Sequence, residues 1–455
     1  MKNTAFMIFG ALLFFACTKQ EAEAPTTTIS GTITNPKSEI ISFRVGEETL
    51  TDSLDAEGGF NVTVMVNEPT EVRFNHGGEY GSLYIRPGDA VSFSLETSEF
   101  DETLTFSGDA ADINNYKASL VLLNDTIMSF KDLMVLEEED YIRAQDSIYA
   151  LRLASLDSVS DEVFKMYTTE NFKWDKYSVH LNFERYHQYY LKLKEYSVSD
   201  DFYAFRDELD VNDSTNMEYP SFLTFVDGLV SSTASEVGQR DSLEYYEAYN
   251  RSVDSLITLN ALKDHLLYNF IKVYYTYMPV EYSGEMIADW KELGPEPDNI
   301  EEVDQMVEKW SKLTPGNPAP DFAYESIDGD TLTMADFKGS VVYIDVWATW
   351  CGPCIGEHPY MEKLQEQFKD KNVTFLAVSI DDTQEPWKKM VAKKKLGGVH
   401  VFAPGAWDAS IIEDYMIRGI PRFILIDQEG KIVDATAARP SGDIATDIEA
   451  LLKSV

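Results

Sequence analysis

Residues 341–347 read VVYIDVW, a run with a single charge at Asp345. A stretch this short, rich in β-branched and aromatic side chains, reads as a strand buried on both faces. From there helical and strand signals alternate to the end of the chain, and that alternation sets the fold class. A helix starts near Cys351. Then come VTFLAVSI (373–380), a helical EPWKKMVAKKK (385–395), VHVFA (399–403), a helix around SIIEDYM (410–416), FILID (423–427), KIVDA (431–435) and a last helix around IATDIEALLKSV. Such a pattern builds an α/β domain. Asp427-Gln428-Glu429-Gly430 reads as a turn, which makes the last two strands an antiparallel hairpin.

Two of the three cysteines, Cys351 and Cys354, stand where the first strand gives way to its helix. A Cys-x-x-Cys in that place reads as a thiol–disulfide pair. Free N–H groups and the macrodipole at a helix start favour an anion, so the Cys351 thiol should ionise below the usual ~8.5. Cys354, one turn on and more buried, should stay protonated. Gly352 and Pro353 let the helix begin tightly, since a proline in the first turn has no N–H to leave unpaired. The six histidines lie at no usable ligand spacing, so no metal and no cofactor is expected.

Trp350-Cys351-Gly352-Pro353-Cys354 matches the active-site motif of thioredoxin, and the resemblance extends past it. Asp345 stands where thioredoxin has its buried acid, and Pro359 where a proline kinks the active-site helix. Arg418-Gly419-Ile420-Pro421 is similar to the segment that carries its cis-proline. The lead-in PGNPAPDF (315–322), the extra segment 382–398 and Glu357 resemble the TlpA/ResA branch of envelope-anchored thioredoxin-like proteins. The resemblance covers 314–455 and implies a thioredoxin-like fold there. It implies that Cys351 attacks and Cys354 resolves. It implies Asp345 as the main proton acceptor for Cys354, with Glu357 assisting. Trp350 would cover one side of Cys351. Gly352, Pro353, Ile420 and a cis-Pro421 would face the substrate. Many members of the branch carry a charged CxxC dipeptide and several lack the acid, whereas this chain has Gly-Pro and both carboxylates. Gly352-Pro353, Ile420 before the cis-proline and a buried Asp345 resemble reducing thioredoxin, near about −270 mV against about −120 mV for a strong periplasmic oxidant. The implied activity is a protein-disulfide reductase working on disulfide-containing envelope proteins and supplied by a membrane electron donor. Cytochrome c maturation is among the roles implied. A disulfide oxidase or isomerase is the alternative direction.

The N-terminus reads as a processing segment. Lys2 is followed by an apolar run from Ala5 to Ala16, whose helix would reach about 18 Å, short of a ~30 Å hydrocarbon core. Residues 1–16 are therefore expected to be a signal peptide. Phe14-Phe15-Ala16-Cys17 resembles a lipobox with Phe14 in place of the usual leucine, which implies lipidation of Cys17. That leaves no odd thiol in the secreted chain. The expected location is the cell envelope, anchored by lipid in the outer or inner membrane and facing the periplasm. Residues 17–28 read as a flexible tether.

From 29 to 108 short alternating runs separated by Gly, Pro and Asn predict an antiparallel β-sandwich. From 109 to 312 helical spacing predicts a mostly helical domain. Leu156, Val159, Val163 and Met166 are read as one face, and Leu259, Leu262, Leu266, Phe270 and Val273 as another. His76 reads as a turn residue and His187 as a packing residue. The chain carries 78 acidic and 38 basic residues, a net charge of −40, which argues against nucleic acid as a partner. A peroxiredoxin would need proline at 344 and threonine at 348, where Ile344 and Ala348 stand. A copper chaperone would want wider cysteine spacing. The rival from another class is a lipid-anchored binding protein in which 29–312 recognise a partner and the thioredoxin-like domain is accessory.

Overall fold

The computed structural model describes residues 26–277 and 284–453. The signal peptide, Cys17 and the tether up to residue 25 lie outside the described residues. The described chain forms two compact units. One holds residues up to 207 with 219–225, and the other holds 208–218 with 226 onward.

The first unit is built on eight strands, β1 (Thr26–Thr34), β2 (Ile40–Val45), β3 (Glu48–Ser53), β4 (Gly59–Met65), β5 (Thr70–His76), β6 (Glu79–Ile85), β7 (Ala90–Glu96) and β8 (Thr105–Gly108). They make two four-stranded sheets, ordered β4-β1-β7-β8 and β3-β2-β5-β6. Alternate residues of both sheets, among them Ile29, Phe43, Val62, Phe74, Leu83 and Phe93, share one apolar core. Two expectations need correction. The β1–β7 pair is parallel, because the other sheet's strands form the crossover between them. The last three residues of the expected tether are strand. Thr26-Thr27-Thr28 are β-branched and continue the alternation of Ile29. Thr27 is fully buried, donating from Oγ1 to Arg86 O at 3.0 Å.

The break at 108/109 separates no compact unit. The helix Ala111–Thr126 comes directly after β8, and two consecutive asparagines tie it to both sheets. Asn114 exchanges hydrogen bonds with Tyr84 N–H and C=O, and Asn115 does the same with Phe106. Tyr84 lies on β6 and Phe106 on β8, which are edge strands of the two sheets. The expected face 156–166 also fails. A short 3₁₀ turn, Leu156–Ser158, interrupts the helical run before the helix Glu162–Leu181. Leu156 and Val159 are consequently buried, while Val163 and Met166 are exposed. His76 is buried and bonded to Lys37 N, more than a turn residue. His187 packs as expected, with Nδ1 on Met134 O at 2.9 Å.

In the second unit the helix Asn260–Tyr277 buries Leu262, Leu266, Ile271 and Tyr275, but Val273 faces solvent. The helix Pro297–Ser311 leads into the α/β segment, where Lys309 meets Glu413 at 3.4 Å. This segment is built on seven strands: β9 (Tyr324–Ser326), β10 (Thr331–Leu332), β11 (Val341–Trp347), β12 (Val373–Ser379), β13 (Val399–Phe402), β14 (Arg422–Ile426) and β15 (Ile432–Asp434). Their order is β10-β9-β13-β12-β11-β14-β15. β11 is central and every residue of it is buried, as its apolar run requires. It runs parallel to β12 and antiparallel to β14, and β14–β15 is the expected hairpin. The helices Gly352–Gln367 and Ile444–Lys453 supply Met361, Leu364, Ile444 and Ile448 to the core on one face.

Candidate active site

The segment between β11 and the helix Gly352–Gln367 is pinned by Asp381, just past β12. Thr349 donates to Asp381 Oδ1 from its N–H at 3.0 Å and from Oγ1 at 2.6 Å. Ser379 Oγ donates to Oδ2 at 2.8 Å. Parallel pairing of Trp347 with Ser379 brings these groups together. Asp381 is almost fully buried and was not singled out by sequence reasoning. The signal was an acid directly after the strand that neighbours the motif strand.

Cys351 is the N-cap of the helix, with Pro353 in its first turn and Pro359 inside it. The Cys351 sulfur accepts from the Cys354 N–H at 3.2 Å. The two cysteines are joined as a disulfide, with Cys351 5% and Cys354 1% exposed. The order of exposure stems from helix geometry, since the N-cap sits at the rim and the next turn faces the sheet. Gly352 and Pro353 are exposed beside them.

Asp345 is 5% exposed and its Oδ1 has no hydrogen-bond partner. Burial pushes its carboxyl up to about 7, and the nearby charge of Glu357 adds to the rise. Glu357 is itself buried. Its Oε2 accepts from Ser441 N–H and its Oε1 from Ser441 Oγ, both at 3.0 Å, and Arg439 approaches to 4.0 Å. The Ile420–Pro421 peptide bond is cis, the isomer implied by the resemblance, and both residues are half-buried.

Trp350 is 54% exposed and packs against Trp407, 44% exposed, with ring centroids 6.2 Å apart. Trp407 was missed by sequence reasoning. It sits on the short 3₁₀ turn Ala406–Asp408, and the available signal was a lone tryptophan among turn formers in Pro-Gly-Ala-Trp-Asp. The motif residues, Asp345, Glu357 and the cis-proline all belong to this one α/β domain. Among the described residues there is no group of three His, Cys, Asp or Glu able to hold a metal ion. Nor is any described helix long and apolar enough to cross a membrane. The arrangement offers a disulfide at a helix start, a buried acid near neutrality and an exposed aromatic ledge, which together suit exchange of disulfides with another protein.

Comparison with known proteins agrees. The family model Redoxin matches residues 314–452. The chain is 34% identical over 125 residues to the thiol-disulfide oxidoreductase ResA of Bacillus thuringiensis subsp. konkukian, covering 28% of this chain and 70% of that protein. It is 28% identical over 141 residues to ResA of Bacillus subtilis, covering 31% and 77%. Among solved structures, the thioredoxin domain of a thiol-disulfide oxidoreductase from Bacteroides vulgatus is 35% identical. It covers 31% of this chain and 99% of that one, at a TM-score of 0.29. On its sequence matches, carried by 314–452, the chain belongs to the TlpA/ResA-like thiol–disulfide oxidoreductases.

Proposed function

We propose that the chain reduces disulfides of envelope proteins. The Cys351 thiolate attacks a client disulfide, and the client's other sulfur leaves as a thiolate. Asp345 takes the proton from Cys354, whose sulfur then displaces the client from Cys351. The client gains two electrons, and the Cys351/Cys354 dithiol becomes the disulfide. A membrane electron donor restores the dithiol. The observation that carries this reading is Asp345, buried and with a carboxyl that titrates at about 7, so it trades protons with a thiol near neutral pH. Glu357 acts in this scheme through its charge, because both of its oxygens are engaged by Ser441. Ile420, Pro421 and Trp350 form the client-facing wall. Lipidation of Cys17 holds the chain in the envelope.

A Cys354→Ser variant tests the route. It should accumulate client proteins on Cys351 as mixed disulfides, identified by mass spectrometry after alkylation. Failure to trap any protein, with Cys351 still reactive to iodoacetamide, contradicts it.

A second reading gives residues 29–312 a binding role. It is favoured by a cleft of about 650 Å³ within the first unit, lined by Tyr84, Tyr116, Lys117, Phe164, Tyr167 and Asn171. If a Cys351→Ser variant keeps the cellular phenotype, this reading replaces the first.

A further inference from the structure

The chain has seven tryptophans. Five of them, Trp174, Trp290, Trp310, Trp347 and Trp387, are at most 2% exposed. The two that are not, Trp350 and Trp407, lie against each other beside Cys351. An indole left half in water forfeits burial that would stabilise the fold, so two together at one place mark a contact surface.

The local sequence explains why Trp407 does not sink into the core. The chain leaves β13 through the buried Ala403 and re-enters the domain at the buried Ala409. Between them Gly405 has φ +99° and Ala406 φ +51°, two successive left-handed residues that turn the chain and carry Trp407 on the outside of the bend. Asp408 N–H closes the turn on Gly405 O at 2.8 Å, and Ala409 N–H donates to Ala406 O at 3.2 Å. Both tryptophans hang on one frame at the end of β12. Ala403 N–H donates to Ser379 O at 2.8 Å. Ser379 Oγ donates to Asp381, which also holds Thr349, the neighbour of Trp350. Tyr324 OH accepts from Ile411 N–H at 2.9 Å and fixes the far side of the turn. The pair is therefore set before a client arrives, and binding loses little entropy in ordering it.

The reaction itself brings a client to this surface. A disulfide holds its two Cα atoms about 5.5–6 Å apart, and successive Cα atoms are about 3.8 Å apart. A residue next to the client cysteine is thus within side-chain reach of Trp350, the residue next to Cys351. The two ring planes meet at 44° with centroids 6.2 Å apart, which makes a shallow V with apolar walls. A guanidinium stacks flat on one ring, whereas a branched aliphatic chain touches both. Asp408 is the only charge within three positions of either ring in the sequence.

We propose that Trp407, together with Trp350, selects clients by a branched aliphatic side chain next to the reacting cysteine. Trp407 acts on recognition and leaves the exchange of electrons to the cysteines. This rests on the reading that Cys351 attacks client disulfides.

The test uses the reduced full chain in single turnover with disulfide-linked dimers of the tetrapeptide Gly-X-Cys-Gly, where X is leucine, alanine or arginine. Acid quenching and chromatography give the rate at which each dimer is reduced. The leucine dimer should react about tenfold faster than the alanine dimer, the factor that partial burial of one aliphatic side chain supplies. In Trp407→Ala that preference should fall below about twofold with the alanine-dimer rate unchanged, and Trp407→Phe should keep most of it. Alkylation of Cys351 by iodoacetamide should be the same in all three proteins, which reports an intact site. Equal leucine and alanine rates in the parent, or a preference that survives Trp407→Ala, overturns the selection while exchange at Cys351 stands. An arginine dimer that outpaces the leucine dimer overturns it in favour of a cation site. If no dimer is reduced although Cys351 is alkylated, the reductant reading itself falls and the selection with it.

Discussion

Asp345 is the residue at which stability and chemistry oppose each other. Its folded carboxyl titrates at about 7 against an ordinary 3.8. A folded state that holds the proton more tightly is favoured below pH 4 and loses that advantage as pH rises through 7. Ionised Asp345 therefore destabilises the α/β domain at pH 8, by on the order of 4 kcal/mol. Asp345→Asn should raise the guanidinium midpoint of the oxidised protein at pH 8 and leave it nearly unchanged at pH 4. An equal change at both pH values would contradict the buried-acid account. Trp407 makes a second prediction at this scale. Trp407→Ala should weaken client capture by about 1–3 kcal/mol while the rate with a small disulfide stays as it was. Titration of a client peptide, first identified by trapping, against the parent protein and Trp407→Ala checks it. The residues singled out in the sequence, Cys351, Cys354, Asp345 and Pro421, sit at fixed offsets within short motifs. Asp381, Trp407 and Ser441 were missed because strand register or a distant loop brings them to the site; Asp381 and Trp407 carry only a weak local signal, and single-sequence spacing does not encode that proximity.

Among the elements, the helix Ala111–Thr126 does the most to tie sheet to helix. Asn114 and Asn115 satisfy backbone groups of two edge strands, which would otherwise be open to pairing with other chains. Asn114→Ala leaves buried groups on Tyr84 unpaired and should cost about 1–3 kcal/mol in the first unit. Limited proteolysis would report it as faster cleavage upstream of residue 207, with disulfide exchange at Cys351 unaltered. Periodicity located the strands with strongly apolar alternate positions. Periodicity carries no signal for the outer strand Glu48–Ser53, which buries almost nothing. It also read through the turn at Leu156–Ser158, because apolar residues on either side of a break keep helical spacing by coincidence. A parallel β1–β7 pairing is beyond any local signal, since it joins residues about sixty positions apart.

For the whole molecule, the matched family accounts for 314–452, and the larger upstream part has no assigned chemistry. Were the upstream part to supply client recognition, the α/β domain would still carry the electron transfer. A fragment 314–455 should then reduce a small disulfide at close to the full-chain rate, and should fail to restore reduction of envelope clients in cells. If clients dock through basic segments against the net charge of −40, added salt should slow the full chain more than the fragment. The central claim is the direction of electron flow, and the reduction potential of the Cys351/Cys354 couple tests it most directly. Equilibration of the full chain against dithiothreitol buffers, read by alkylation and mass, should place it near about −270 mV. A value above about −180 mV would contradict the reductant account and make the protein an oxidase or isomerase.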